Sequence, residues 1–186
     1  MPQNNSSWLS VGIQHARAEK CHLYYCASDL SSRQRSQKTR LWWCCVVRDR
    51  VIALGMRRHV QITMDHFDFG QKMIVEDDFA LEIEHSEVYS AEKKRLLVRE
   101  FVVQCQLAVA VTPSLLVIYP LDGQMFPTVS TGSDLLKRQA QIEECTKKLA
   151  EWKDKTKLQL MLDGNDRLKS CETVIVYQDL TYLYYS

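Results

Sequence analysis

Residues 31–47 read SSRQRSQKTRLWWCCVV and combine a basic segment with a strongly apolar one. Four cations fall within eight positions, and two tryptophans, two cysteines and two valines follow. Aromatic and β-branched residues favour strands, so we predict a polar loop that leads into a strand over 41–47. Neighbouring side chains of a strand point to opposite faces. Only one of Trp42 and Trp43 would then face the core, and the other would be exposed or covered by a partner.

The residues around this stretch extend the strand pattern. Residues 20–30 carry aromatic residues typical of a strand, and 50–54 and 59–64 read as further strands, with breaks at Arg48-Asp49-Arg50 and Gly55. Residues 80–84 alternate between apolar and acidic side chains, which indicates a strand with one wet face. The first half of the chain is therefore predicted to be an antiparallel meander.

After Ser90 the spacing of apolar residues changes from that of a strand to that of a helix. Leu97, Phe101 and Cys105 recur at helical spacing behind Ser90, a plausible N-cap, and the alternative is a long β-hairpin because valines are frequent. The run 114–119 after Pro113 reads as a buried strand. A second helix is predicted near 133–153 behind a capping box at Thr131, and a last strand over 172–180.

These patterns predict an α+β fold, with an antiparallel β-meander in the first half and two α-helices plus further strands in the second. An open α/β sheet is the alternative, because strands and helices alternate from 80 to 177. We expect residues 1–19 to form a loosely ordered leader. Residues 20–186 would then form a single domain that includes the amphipathic helix near 133–153.

Charge is segregated along the chain although the net charge is only +1. Residues 1–60 hold ten Lys and Arg against three Asp and Glu, whereas 61–90 hold eight acids against Lys72 alone. Such segregation predicts either mutual packing of the two segments or partners of opposite charge.

The basic, Trp-containing segment 33–58 is the candidate surface for a nucleic acid or an acidic protein. Its cations could neutralise phosphates while a tryptophan offers a stacking face. A plain solvated loop is the third interpretation. The candidate residues are Arg33, Arg35, Lys38, Arg40, Trp42, Trp43, Arg48, Arg50, Arg57 and Arg58.

A second candidate surface is a protein interface on the helix near 133–153 and the aromatic C-terminal tail. Apolar residues repeat by sevens on that helix, although Arg138 interrupts one row, and tyrosines are enriched at interfaces. A lone amphipathic helix packed on the domain would show the same pattern. The candidate residues are Leu135, Ile142, Cys145, Leu149, Trp152, Tyr182, Tyr184 and Tyr185.

An acidic cluster over 64–85 offers oxygen ligands of the kind that Mg²⁺ and Mn²⁺ prefer. Asp65, Asp78, Glu82 and Glu84 could serve a metal-dependent nuclease, but a solvated acidic face is the favoured interpretation, and an acidic docking surface is the third. Their layout resembles the core of restriction-endonuclease-like nucleases. Glu84 stands where that core has a lysine, so the chain is not assigned to that family.

Other enzyme chemistry has no support in the sequence. Phosphate-binding loops, dinucleotide fingerprints, nucleophile elbows and zinc-protease motifs are absent, and the seven cysteines have no zinc-knuckle spacing. We expect free, mostly buried thiols and no cofactor or metal.

The predicted function is that of a non-catalytic interaction subunit or adaptor of an intracellular complex. A nucleic-acid-binding protein that uses segment 33–58 is the main alternative, and a nuclease is the weaker one. Expected partners are proteins, in a hetero-complex or homodimer, and RNA or DNA is the alternative partner. The sequence shows neither a secretory signal nor an uninterrupted membrane-spanning run, so we expect a cytoplasmic or nuclear protein without a membrane partner.

Overall fold

The computed structural model describes residues 5–121 and 132–162, and within them the side chains of 7–121 and 132–156. These residues form five α-helices: α1 (Asn5–Ala18), α2 (Ser32–Met56), α3 (Ala80–Glu84), α4 (Ala91–Ile118) and α5 (Gly132–Leu162). Short 3-10 turns lie at Cys21–Leu23 and Glu76–Phe79. No strand occurs in the described ranges, so the predicted α+β class and its open α/β alternative are wrong.

Helix α2 occupies the stretch that was predicted to contain a loop and two strands. The Ser31 hydroxyl accepts a hydrogen bond from the backbone N–H of Gln34 at 3.3 Å, and the side-chain oxygen of Gln34 accepts one from the backbone N–H of Ser31 at 3.1 Å. This reciprocal capping box fixes the start of the helix. The buried side chains then recur at intervals of three and four residues, as a helix requires: Thr39, Trp42, Trp43, Cys45, Val46, Asp49, Arg50, Ile52 and Ala53.

Helix α1 lies where a loosely ordered leader was expected. Leu9, Ile13 and Ala16 follow helical spacing and are buried in the main core cluster. The Ser10 hydroxyl also donates to the Gln61 side chain at 2.7 Å, which ties α1 to the segment after α2. Residues 5–18 are therefore an integral part of the helical body.

The segment between α2 and α4 supplies the centre of the core without forming strands. Residues 59–64 cross the body as irregular chain and bury Val60 and Ile62, and 80–84 form α3. The Phe67 ring lies 5.6 Å from that of Trp42 and 5.9 Å from that of Trp43, both edge-on. Such edge-to-face contacts stabilise aromatic clusters beyond the area they bury.

Helix α4 begins where the sequence predicts, since the Ser90 hydroxyl accepts a hydrogen bond from the Lys93 amide. The β-hairpin alternative is wrong, and so is the strand predicted over 114–119, because α4 continues through Pro113 to Ile118. By length and composition alone α4 could cross a membrane. Helix α4 packs against α2 and α5, however. Its buried side chains include Cys105, Leu107, Ala108, Val111, Thr112 and Leu115.

Helix α5 covers the region of the predicted helix near 133–153 and extends beyond it to Leu162. Leu149 packs on a second core cluster formed by Ala53, Val60, Val111 and Leu115. The capping residue Thr131, the predicted strand over 172–180 and the tyrosine-rich tail lie outside the described residues.

Candidate functional site

A buried ion pair lies in the C-terminal third of α2. Asp49 and Arg50 are both fully buried, and the Arg50 Nη1 donates to the Asp49 Oδ2 at 2.7 Å. The same carboxylate accepts hydrogen bonds from the backbone amides of Gln61 at 3.0 Å and Ile62 at 2.9 Å. Each oxygen of Asp49 therefore has a partner, which is what a buried carboxylate requires.

The guanidinium of Arg50 connects three parts of the body. Its Nε donates to the Thr112 hydroxyl on α4 at 2.9 Å, and its Nη2 donates to the Ile62 carbonyl at 2.8 Å. The Phe69 ring centre lies 5.1 Å from the guanidinium carbon, within the range of a cation–π contact. The Asp49–Arg50 pair thus holds α2, the segment after it and α4 in one arrangement.

A second polar junction is built around Tyr24. The Trp43 indole Nε1 donates to the Tyr24 hydroxyl at 3.1 Å, and that hydroxyl donates to the Lys72 carbonyl. Burial raises the pKa of Tyr24 to about 12, because the phenolate would lose its hydration. Tyr24 is therefore a neutral donor that links the backbone of Lys72 to Trp43 of α2.

A charged cleft of about 760 Å³ lies between the start of α2 and the segment 77–89. On one wall are Arg33, Ser36 and Arg40, and on the other are residues of α3 and of the segments before and after it. The full lining is Ser32, Arg33, Ser36, Gln37, Arg40, Asp77, Asp78, Ala80, Leu81, Glu82, His85, Ser86, Glu87, Val88, Tyr89 and Lys94.

Part of the charge in this cleft is paired across its walls. Glu82 forms ion pairs with Arg40 and, at 3.2 Å, with Lys94. The guanidinium of Arg40 also lies 5.5 Å from the ring centre of Phe79. The basic and acidic segments therefore pack against each other here, which is the mutual packing that the charge segregation offered as one interpretation.

The basic residues of segment 33–58 are dispersed around α2 rather than gathered on one surface. Arg35 donates to the Ala27 carbonyl, and Lys38 reaches Glu19, whereas Arg33, Arg48 and Arg57 are exposed. Arg58 is half-buried at the end of the helix, and Arg50 lies in the core.

Both tryptophans of the segment are core residues. The exposed fractions of Trp42 and Trp43 are 0% and 1%, so neither ring is open for stacking. The expectation that one of them faces outward was wrong. It rested on strand geometry, whereas adjacent residues of a helix lie only 100° apart and can share a buried face.

The residues predicted on α5 divide into two groups. Cys145 is buried, Leu149 packs on the second core cluster and Trp152 is half-buried, so these three face the body. Leu135 and Ile142 are exposed by 58% and 55%. Tyr182, Tyr184 and Tyr185 lie outside the described residues.

The acidic residues proposed for a nuclease are not brought together. Asp78 accepts a hydrogen bond from the Val75 amide at 3.0 Å, Glu82 is paired with cations, and Asp65 and Glu84 are exposed. Among the described residues, no group of three or more His, Cys, Asp or Glu is placed to hold a metal ion.

Six cysteines lie in the described part of the chain, and all six are free. Burial raises the pKa of Cys45 to about 11 and also raises that of Cys105. Because the thiolate is the reactive form, these two side chains behave as small apolar core residues.

Sequence reasoning missed the Asp49–Arg50 pair and the cleft. The signal for the pair was present, because Asp49 and Arg50 continue the helical spacing of Trp42, Trp43 and Val46. A charged pair inside an apolar stripe resembles an interruption, however, and so the sequence predicts a break between strands at this point. The cleft brings residues 32–40 together with residues 77–94, at least 37 positions further along the chain, and no local sequence pattern predicts such a contact.

Comparison with known proteins shows which family contains this helical body. The family model described as the fungal specific transcription factor domain matches residues 3–154. Cutinase transcription factor 1 beta of Fusarium vanettenii is 32% identical over 102 residues, which are 55% of this chain and 11% of that protein. A transcription factor of Fusarium pseudograminearum (strain CS3096) is 32% identical over 82 residues, or 41% of this chain and 8% of that protein.

A further relative, cutinase transcription factor 1 alpha of Fusarium vanettenii, is 33% identical over 72 residues, which are 39% of this chain and 8% of that protein. The chain thus spans about a tenth of the length of these relatives. No solved structure gave a significant match. The family description and the names of these relatives refer to transcription, which is closer to the nucleic-acid alternative in its general form than to the adaptor hypothesis. The match over 3–154 shows that this chain belongs to the fungal specific transcription factor domain family.

Proposed function

We propose that this chain is a regulatory portion of a nuclear transcription factor, a protein whose ultimate target is DNA. The observation that carries the proposal is the family match, which covers residues 3–154 of 186. The relatives that are named as transcription factors match the same chain over 72 to 102 residues.

The structure supports a regulatory role for this portion rather than the reading of base edges. Base readout requires exposed side chains on an element that can enter a DNA groove. The segment with the most cations, 33–58, instead forms the central helix of the body, buries Trp42, Trp43 and Arg50, and pairs Arg40 with Glu82. We therefore propose that protein surfaces such as the charged cleft carry the regulatory function.

A tethered-reporter experiment tests this proposal. The 186-residue chain is fused to an unrelated DNA-binding module, and transcription is measured from a promoter that carries the sites of that module. We expect the fusion to change reporter output relative to the module alone. Asp49→Ala should abolish the effect because it disrupts the core, whereas Arg48→Ala, one residue away and exposed, should retain it. Output equal to that of the module alone, from a fusion that is expressed and folded, would contradict the proposal.

A second candidate is direct DNA binding by the exposed part of segment 33–58. It is favoured by the exposure of Arg33, Arg48 and Arg57. Three phosphate contacts predict a slope of about −3 for the logarithm of affinity against the logarithm of salt concentration. Reversing all three charges should remove that slope. If the isolated chain binds DNA equally well before and after the reversal, this candidate is excluded.

A further inference from the structure

The described part of α5 has an uncovered apolar surface in its first half. We call residues 132–144 the arm. None of them is buried, and Leu135, Leu136 and Ile142 are exposed by 58%, 69% and 55%. Leu135 and Ile142 are seven residues apart and lie on the same side of the helix, which is the spacing of a helix that packs into a groove. From Cys145 onward, in contrast, α5 rests on the body.

The charged cleft has an uncovered apolar surface of its own. Leu81, Val88 and Tyr89 line it and are exposed, Val88 by 81%. No residue that lines the cleft belongs to α5. Within one described chain, therefore, the arm does not fill the cleft.

The unpaired charges of the arm and the cleft complement each other. Asp77 and Glu87 line one wall of the cleft, and Arg33 lines the opposite wall. None of these three side chains forms an ion pair with another described residue. Arg138 and Glu143 flank the apolar side of the arm and likewise make no ion pair with a described residue. The arm thus presents one cation, Arg138, and one anion, Glu143, beside its apolar side. The cleft presents carboxylates that could pair with the cation and a guanidinium, that of Arg33, that could pair with the anion.

We propose that the charged cleft receives the arm of a second copy of this chain. Leu135 and Ile142 enter between the cleft walls against Leu81 and Val88, and Arg138 lies near Glu87. Because each copy has one arm and one cleft, a reciprocal exchange closes into a two-fold symmetric dimer. The interaction is of the helix-in-groove type, in which apolar anchors give affinity and flanking charges fix orientation.

Sedimentation equilibrium of the 186-residue chain tests the proposal. The expected result is a concentration-dependent species of twice the 21.7 kDa monomer mass. Leu135→Ser with Ile142→Ser on the arm, and separately Leu81→Ser with Val88→Ser in the cleft, should each raise the dimer dissociation constant by at least about tenfold. Leu81, Leu135 and Ile142 are about half exposed, and Val88 is exposed by 81%, so these substitutions do not remove core residues. Circular dichroism verifies that each variant stays helical.

A charge exchange makes the test specific for the predicted contact. Arg138→Glu and Glu87→Arg should each weaken the dimer, and the variant that carries both should recover it. Lys137→Glu is the matched control, because Lys137 lies 200° around the helix from Leu135 and points away from the apolar side.

Three results would overturn the proposal. One is a monomer at all concentrations, which would leave the cleft for a foreign partner. The second is a dimer that weakens with the arm variants but not with the cleft variants, since it would show that arm pairs with arm. The third is a charge exchange without recovery.

Discussion

Asp49→Ala is the substitution expected to damage this protein most. It leaves the fully buried guanidinium of Arg50 without its carboxylate and removes the acceptor for the amides of Gln61 and Ile62. Breaking a buried ion pair by removing one partner costs about 3–5 kcal/mol. The total free energy of unfolding of a domain is only about 5–15 kcal/mol. The variant should therefore lose a large fraction of its stability.

Urea unfolding followed by circular dichroism at 222 nm measures this loss. With a urea dependence of about 2 kcal/mol per molar, the unfolding midpoint should fall by roughly 1.5 to 2.5 M. Arg48→Ala is the control, because Arg48 is the exposed neighbour in sequence and its loss should change stability by less than about 0.5 kcal/mol. Thr112→Val removes the acceptor of the Arg50 Nε and should cost about 1–3 kcal/mol.

A free energy of unfolding of Asp49→Ala within about 1 kcal/mol of that of the parent would contradict this role of the Asp49–Arg50 pair. Such a result would mean that Arg50 reaches water or another acceptor, and that α2 does not hold the rest of the body through this pair.

Three further predictions concern α2 and the aromatic residues. Ser31→Ala removes the N-cap of α2 and should lower the free energy of unfolding by about 1 kcal/mol in urea titrations, whereas Ser32→Ala, beside it and exposed, should have little effect. Tyr24 has a pKa of about 12 in the folded protein and about 10 when unfolded, so its stabilising contribution is complete below pH 10 and is lost as the pH rises through 12. Tyr24→Phe should remove that part of the alkaline loss of stability, and an unchanged pH profile would contradict the assignment. Trp8 is 77% exposed and Trp152 is half-buried, whereas Trp42 and Trp43 are buried. Trp8→Phe should therefore lower the acrylamide quenching of tryptophan fluorescence to the partial quenching of Trp152, and quenching equal to that of the parent would show that another indole is as open to solvent as Trp8.

The parts of the fold that local patterns encode could be predicted from the sequence. Ser90 caps α4 as expected, because an N-cap and a helical apolar stripe are properties of neighbouring residues. The same is true of α5, whose apolar residues repeat regularly over 135–152. The charge segregation also pointed to the packing between Arg40 and Glu82, although it could not distinguish this from an external partner.

The error over α2 arose because β-propensity depends on context. Trp, Val and Ile are enriched in strands, but that preference reflects packing on a half-buried surface and is readily overridden in a core. The capping box at Ser31 and Gln34 was the local feature that favoured a helix. Residues 80–84 are too few to distinguish the two-residue period of a strand from the 3.6-residue period of a helix. Apolar and acidic side chains alternate there, but the buried residues Phe79 and Ile83 are four positions apart, which is helical spacing.

The candidate site could not be predicted because its parts are distant in sequence. The cleft joins residues 32–40 to 77–94, and its form depends on where the irregular segment 57–75 places α3. The Asp49–Arg50 pair likewise depends on Thr112 and on the backbone of Ile62, which only the folded chain brings together.

The most direct test of this account is amide hydrogen exchange, measured by mass spectrometry with and without DNA. If α2 is the buried central helix, the amides of residues 42–53 should be among the slowest in the chain and should open only with global unfolding. DNA should leave their exchange unchanged. Rapid exchange of these amides in the free protein, or protection that appears only on DNA, would show instead that segment 33–58 is an open nucleic-acid-binding surface, and would contradict the account.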